Sequence, residues 1–309
     1  MRTDTSSATE SSRTIVGVDG SEHARAAALW GAAEAARHRH GLYLVHAADL
    51  DRLDRFASFE TSEHVRDNGD TVLTEAAQEV RHRFPGLDLT LELSRRSPVP
   101  ALHAASRPQD IIVVGGRGSG GFGPLLLGSV GLGAVVGSPA PVVVVRGESA
   151  EREGSPVTAA VRDERDAVWV VRAAQEAQVR RCPLRLLNVR NLLTRFGSRP
   201  ASPDDAAQFA ASGERLLADL ASRVREGNPG LTVQTEVVTA RSAASALVEA
   251  SREANLLVMG SHERRSVSVL GLGHVAHALL HHSHCPVQIV PYPRDERGVT
   301  EEGLGDGGD

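Results

Sequence analysis

A chain of 309 residues is long enough for two domains of roughly 150 residues each. Its net charge of −5 leaves no electrostatic footprint for nucleic acid or an anionic membrane. It contains no lysine, all 34 basic residues being arginine, which excludes any chemistry built on a Walker, Schiff-base or general-base lysine.

Apolar residues make up 41% and aromatics only 3%, so the cores must be built mainly of Ala, Val and Leu. Two cysteines, Cys182 and Cys285, are too few for a disulfide framework. No apolar run approaches the ~20 residues of a membrane span. Met1 to Ser12 is polar and lacks the apolar centre of a signal peptide, so it is expected to be a disordered lead. The expected location is the cytoplasm.

Thr14 to Gly20 reads as a first strand ending in a turn, with Ser21 or its neighbour placed to cap an alanine-rich helix from about Glu22 to His40. Leu42–Ala47 is a second strand. Asp49 to Ser62 reads as a polar loop, followed by a helix from Glu63 that stops before Pro85-Gly86. Leu87 to Leu93 alternates as a strand, and Pro98 to Ser106 forms a short helix. Ile111-Ile112-Val113-Val114 has no polar face and reads as a fully buried strand, as does the run of valines after Pro141. Five strands alternating with helices predict an α/β doubly wound, Rossmann-like parallel sheet with helices on both faces.

Between the last two strands lies Gly115-Gly116-Arg117-Gly118-Ser119-Gly120-Gly121-Phe122-Gly123, and Gly128-Ser129-Val130 then opens a helix. Unscreened backbone amides and a helix N-terminus together suit a bound anion, above all phosphate. A glycine loop with no ligand is the plainer alternative. Gly116, Gly118 and Gly121 also fit a dinucleotide pattern, but that fingerprint belongs after a first strand, and here it follows the fourth.

Gly115, Gly118 and Gly128-Ser129, at that spacing, resemble the ATP-binding signature of the universal stress protein family. The resemblance implies a strand order of 3-2-1-4-5 in each domain. It implies ATP, with or without Mg or Mn, as the ligand, and no dedicated catalytic or metal-ligating residue. It places Asp19 beside the nucleotide, with Gly17 and Val18 on the floor and the Ala47 backbone against adenine. From position alone Asp19 would be a turn or capping aspartate. Gly115 to Gly121 and Gly128 to Val130 would hold the phosphates, with side-chain contacts available from Arg117 and Ser119. In the family the terminal strands pair domains edge to edge, which implies a homodimer through Pro141–Arg146 and Pro286–Val290.

The second half repeats the first. Ser97 to Leu102 recurs as Ser242 to Leu247, Ile111 to Gly115 as Leu256 to Gly260, and Pro141-Val142 as Pro286-Val287, all at one offset of 145 residues. The expected domains are 13–147 and 156–292, with a disordered acidic tail at 295–309. The halves differ where it matters: Gly17 corresponds to Ala160, Asp19-Gly20 to Arg162-Asp163, Gly118 to Glu263, and Gly128-Ser129 to Gly273-His274. A carboxylate and bulky side chains then occupy the phosphate position, so nucleotide is expected in the first domain only. Arg264 and Arg265 read as an exposed basic loop.

His281, His282, His284 and Cys285 invite a zinc reading, but no second matched ligand cluster accompanies them, and a plain helix end is favoured. Arg95-Arg96 and Arg180-Arg181 read as solvated faces, and Trp30 and Trp169 as helix packing. The function implied is an ATP-binding stress-response regulator or sensor. The alternatives are a slow ATPase or phosphotransferase using Asp19 and a metal, and an interaction module without nucleotide.

Overall fold

Strands without a polar face are stable only when both faces are covered, and the fold meets that need with helices on each side of one sheet. The structure, a computed structural model, describes residues 12–116, 128–146, 154–191, 203–261 and 272–292. Residues 1–11, 117–127, 147–153, 192–202, 262–271 and 293–309 lie outside the described residues.

In the first repeat β1 (Arg13–Gly17), α1 (Glu22–His38) and β2 (Gly41–Ala47) are followed by α2 (Leu50–Leu53), α3 (Phe59–Arg83) and β3 (Leu89–Ser94). Then come α4 (Pro98–Ala105), β4 (Ile111–Gly115), α5 (Ser129–Val135) and β5 (Val142–Val145). The second repeat runs β6 (Val157–Ala160), a 3-10 turn at Glu164–Asp166, α6 (Ala167–Arg180), β7 (Leu184–Asn191), α7 (Pro203–Gly227) and β8 (Val233–Ala240). It closes with α8 (Ala243–Ala250), β9 (Leu256–Gly260), α9 (His274–His282) and β10 (Val287–Val290).

The strand order is β3-β2-β1-β4-β5-β10-β9-β6-β7-β8, a single sheet of ten strands. Each half has the expected order 3-2-1-4-5. Every neighbouring pair is parallel except β5 with β10, which is antiparallel, with Val143 opposite Gln288. This corrects the expected route of pairing between copies, through the edges of the terminal strands. Those two edges satisfy each other within one chain, so neither is left as a template for a second copy.

Two apolar clusters lie on the two faces of the sheet, and each continues through both repeats. One includes Val16, Trp30, Val143, Trp169 and Val258, the other Ile15, Leu102, Val144, Leu257 and Ile289.

Two further expectations are corrected. The segment Asp49–Ser62 is not a plain loop: it holds α2, and α3 already starts at Phe59, where the Ser58 hydroxyl accepts from the Thr61 amide. Ser62 is buried and donates to Asp54, which ties the two helices together. Arg180 is not solvated. Its side chain is 6% exposed and pairs with Glu34 and Glu176 between α1 and α6. Arg95 does lie at the surface, paired with Asp51 and Asp54.

Candidate functional site

In a doubly wound sheet the chain ends of neighbouring strands open a crevice where the winding reverses. In the first repeat that point lies between β1 and β4. Val16 is in register with Val113, so Asp19 and Gly116, each three residues further on, reach the same level. Gly17 is opposite Val45, which brings Ala47 to that level from the other side. Residues far apart in the chain therefore meet along one rim: Gly17, Val18 and Asp19 from β1, Ala47 from β2, and Gly115 and Gly116 from β4.

Local bonds hold this rim in shape. The Val18 amide donates to the Val45 carbonyl at 3.0 Å, and Asp19 accepts from the Ser21 amide at 3.0 Å. Ser21 caps α1 through the Ala24 amide, so the turn after β1 leads straight into a helix. The Gly116 amide donates to Val145 at 2.9 Å, and its carbonyl accepts from the Gly128 amide at 3.1 Å. The two ends of the glycine loop are thus pinned together beside the end of β4. Gly128 is the residue before α5, no side chain caps this helix, and Ser129 is exposed at its start. The first amides of α5, around Ser129 and Val130, have no partner within the helix, which is where an anion is best received. Arg117, Gly118, Ser119, Gly120 and Gly121 lie outside the described residues.

Gly115 has no room for a side chain. A Cβ there would sit 2.7 Å from the His23 carbonyl oxygen. The backbone at the start of α1 therefore comes directly against the end of β4.

The second repeat builds the same rim differently. Ala159 is in register with Val258 as Val16 is with Val113, so Arg162 stands in the place of Asp19. Arg162 is exposed and pairs with Asp163 at 2.9 Å. Over Gly260, the counterpart of Gly115, lies the indole of Trp169: a Cβ on Gly260 would be 2.2 Å from that ring. The indole N–H donates to the Ala160 carbonyl at 3.0 Å, and Trp169 is only 5% exposed. An aromatic side chain thus occupies, above β6 and β9, the position that α1 backbone holds in the first repeat. Asp166 lies buried in the same turn. Desolvation pushes its carboxyl up to about 6, the nearby Asp163 charge adding to the rise while amide hydrogen bonds from Arg162 and Asp163 oppose it. Glu263, Arg264 and Arg265 lie outside the described residues.

Sequence reasoning missed Trp169 as a filler of the second rim, and it missed His46. The His46 Nδ1 donates to the Val18 carbonyl at 2.8 Å and steadies the strand end beside Asp19. Asn188 does the same for Val161 at 2.7 Å. A signal for both was present in the chain. Gly69 and Gly213 interrupt long helices, and a Cβ at either would come within 2.8 Å of His46 or Asn188. Glycine inside a helix costs about 1 kcal/mol relative to alanine, so its recurrence at the same place in both repeats marks a close approach. Of the residues considered for zinc, Cys285 is buried and bonded to Ser283, while His282 is exposed. Among the described residues the grouping of three potential metal ligands is Glu34, His38 and Glu176, far from either rim.

The universal stress protein family model matches this chain twice, over residues 11–146 and 155–291. A universal stress protein of Mycolicibacterium smegmatis is 29% identical over 289 residues, spanning 89% of this chain and 96% of that protein. One from Mycobacterium tuberculosis is 30% identical over 285 residues, spanning 89% and 95%. The crystal structure of a universal stress protein from Archaeoglobus fulgidus superposes with a TM-score of 0.67 at 18% identity, covering 92% of this chain and all 100% of the other. No described helix is long and apolar enough to cross a membrane. With two family matches, one on each half of the ten-stranded sheet, the chain belongs to the universal stress protein family.

Proposed function

We propose that the first repeat binds ATP, that the second does not, and that the chain acts in the cytoplasm as a stress-response regulator or sensor rather than as a catalyst. The observation that carries this reading is the contrast of the two rims. In the first, Asp19, Ala47 and Gly115-Gly116 share one level, with the uncapped start of α5 pinned beside them. In the second, Arg162 replaces the carboxylate and Trp169 covers Gly260. The adenine would lie against the Ala47 backbone and the ribose near Asp19. The phosphates would lie on the amides of Gly115 to Gly121 and of Gly128 to Val130, with Arg117 and Ser119 in reach. Mg or Mn would serve only to offset phosphate charge.

Turnover is disfavoured by the absence of lysine and of a second carboxylate carried by a recognisable motif near the loop. Binding without hydrolysis still has a consequence. At ATP a hundredfold above its dissociation constant the first repeat gains about 2.7 kcal/mol of stability.

The test is calorimetric titration with ATP, a turnover assay, and mass spectrometry of ligand released from freshly purified protein. One bound ATP per chain with no ADP above stoichiometry supports the proposal. Sustained ADP release makes the protein an ATPase, and no binding makes it an interaction module.

A further inference from the structure

Where the two repeats meet, β5 pairs with β10 and α1 lies beside α6. Val143 faces Gln288, and these are equivalent positions of the two repeats, so a pseudo-twofold axis passes between them. The helices above obey the same axis. α1 and α6 both end in a left-handed residue, Arg39 and Arg181. Counting back from those caps, Glu34 matches Glu176 and His38 matches Arg180.

Both glutamates are fully buried. His38 Nε2 lies 2.9 Å from Glu34 and 3.1 Å from Glu176. Arg180 reaches Glu34 at 2.6 Å and also binds Glu176. Two symmetry-related positions thus each bridge the same two carboxylates, one with an imidazole and the other with a guanidinium. Arg37 from α1 pairs with Glu34, Arg172 from α6 pairs with Glu176, and Gln288 donates to Glu176. His40 stacks 5.1 Å from His38, and Arg180 lies over the Trp30 ring.

We propose that this cluster is a key for unlike repeats: the seam between two buried glutamates accepts one imidazolium and one guanidinium, so the fitting partner of a first repeat is a second repeat and not another first repeat. Pairing two first repeats would put two imidazoles in the cluster and leave it underfilled. Pairing two second repeats would crowd two guanidiniums and two Gln288 side chains onto the axis. Discrimination of this kind works through the misfit of the wrong partner as much as through the contacts of the right one. The protonated state of His38 supports the key. Desolvation lowers its pKa, but the hydrogen bonds and charges of Glu176 and Glu34 outweigh that and raise it to about 9. The proposal does not depend on ATP.

The test uses the full chain. His38→Arg and Arg180→His each spoil the one-of-each rule, while the exchange His38→Arg/Arg180→His restores it with the positions swapped. Each single variant is expected to lower the melting midpoint by roughly 4 °C or more, and the exchange to recover more than half of the summed loss. Additive losses overturn the key, because an ordinary buried contact at each site would add.

Partner choice is read with Val143→Cys, which faces its own copy only when two first repeats pair, at roughly millimolar protein to match the effective concentration set by a short linker. Little disulfide-linked dimer is expected with the native key and severalfold more with Arg180→His. Equal trapping in the two, or none in either while Val143→Cys/Gln288→Cys closes within the chain, counts against the proposal.

Discussion

The two rims share a sheet order and a register, yet they end in opposite chemistry. In the first, backbone meets backbone: the start of α1 lies against Gly115, leaving the strand ends lined by amides and one carboxylate. In the second, α6 is preceded by a 3-10 turn, and Trp169 fills the space against Gly260. A duplicated fold can therefore keep its core pattern while one copy turns the rim at its strand ends into part of that core. The strands need only stay apolar, whereas the rim depends on which side chain sits in the first turn of one helix.

The largest effect that sharpens this contrast is expected from Trp169→Ala. It empties a buried position and strips the Ala160 carbonyl of its indole donor. A loss of about 3–5 kcal/mol is expected in urea unfolding. The equivalent position in the first repeat is Ala27, which is buried without such a role. A loss below 1 kcal/mol would mean that the indole does not hold the second rim closed.

Next in size is Gly118→Glu, which writes the second repeat's residue into the first loop. It is expected to abolish ATP binding and with it the roughly 2.7 kcal/mol of ligand stabilisation at a hundredfold excess. At an effective dielectric near 20, like charges about 4 Å apart repel by roughly 4 kcal/mol before screening. Calorimetry on the variant decides the point, and retained affinity would move the phosphate site away from the loop.

The third concerns the strand-end clamps. His46→Ala removes the donor to the Val18 carbonyl and is expected to cost about 1–3 kcal/mol. His46→Asn copies the second repeat's solution, where Asn188 serves Val161, and should recover most of that loss. If both variants lose equally, the two clamps are not equivalent and the superposition of the rims fails at this point.

Much of this was legible in the chain. Ile111–Val114 and the Pro-Val strands announced themselves because a run without a polar face has one stable use, and their recurrence at a constant offset revealed the duplication. Asp19, Ala47 and Gly116 could be brought together only through strand order, which came from a family resemblance. What stayed hidden depended on partners distant in sequence. Arg180-Arg181 reads as surface because paired arginines usually are, and nothing local shows that Glu34 waits across the seam. Trp169 looked like ordinary helix packing because its role depends on a glycine in β9. The start of α3 at Phe59 was obscured because that residue is 80% exposed, leaving no apolar periodicity to mark the first turn.

The last comparison separates the repeats by pH, where one proton sets a slope of at most about 1.4 kcal/mol per pH unit. Asp166 has a folded pKa raised to about 6 from 3.8. Between those values the folded state holds more protons than the unfolded one, so stability falls as pH rises from about 4 to 6. The first repeat has Ala24 at the corresponding position and contributes no such slope. Asp166→Asn should therefore flatten the stability profile across that window. His38 acts in a different window. Its folded pKa is raised from 6.5 to about 9, so its contribution is complete below pH 6.5 and is lost as pH climbs through 9. Urea midpoints measured at intervals from pH 4 to 9.5 for the parent, Asp166→Asn and His38→Gln place each group in its own window. If Asp166→Asn leaves the acid-side slope intact, the buried carboxyl of the second rim is not its source.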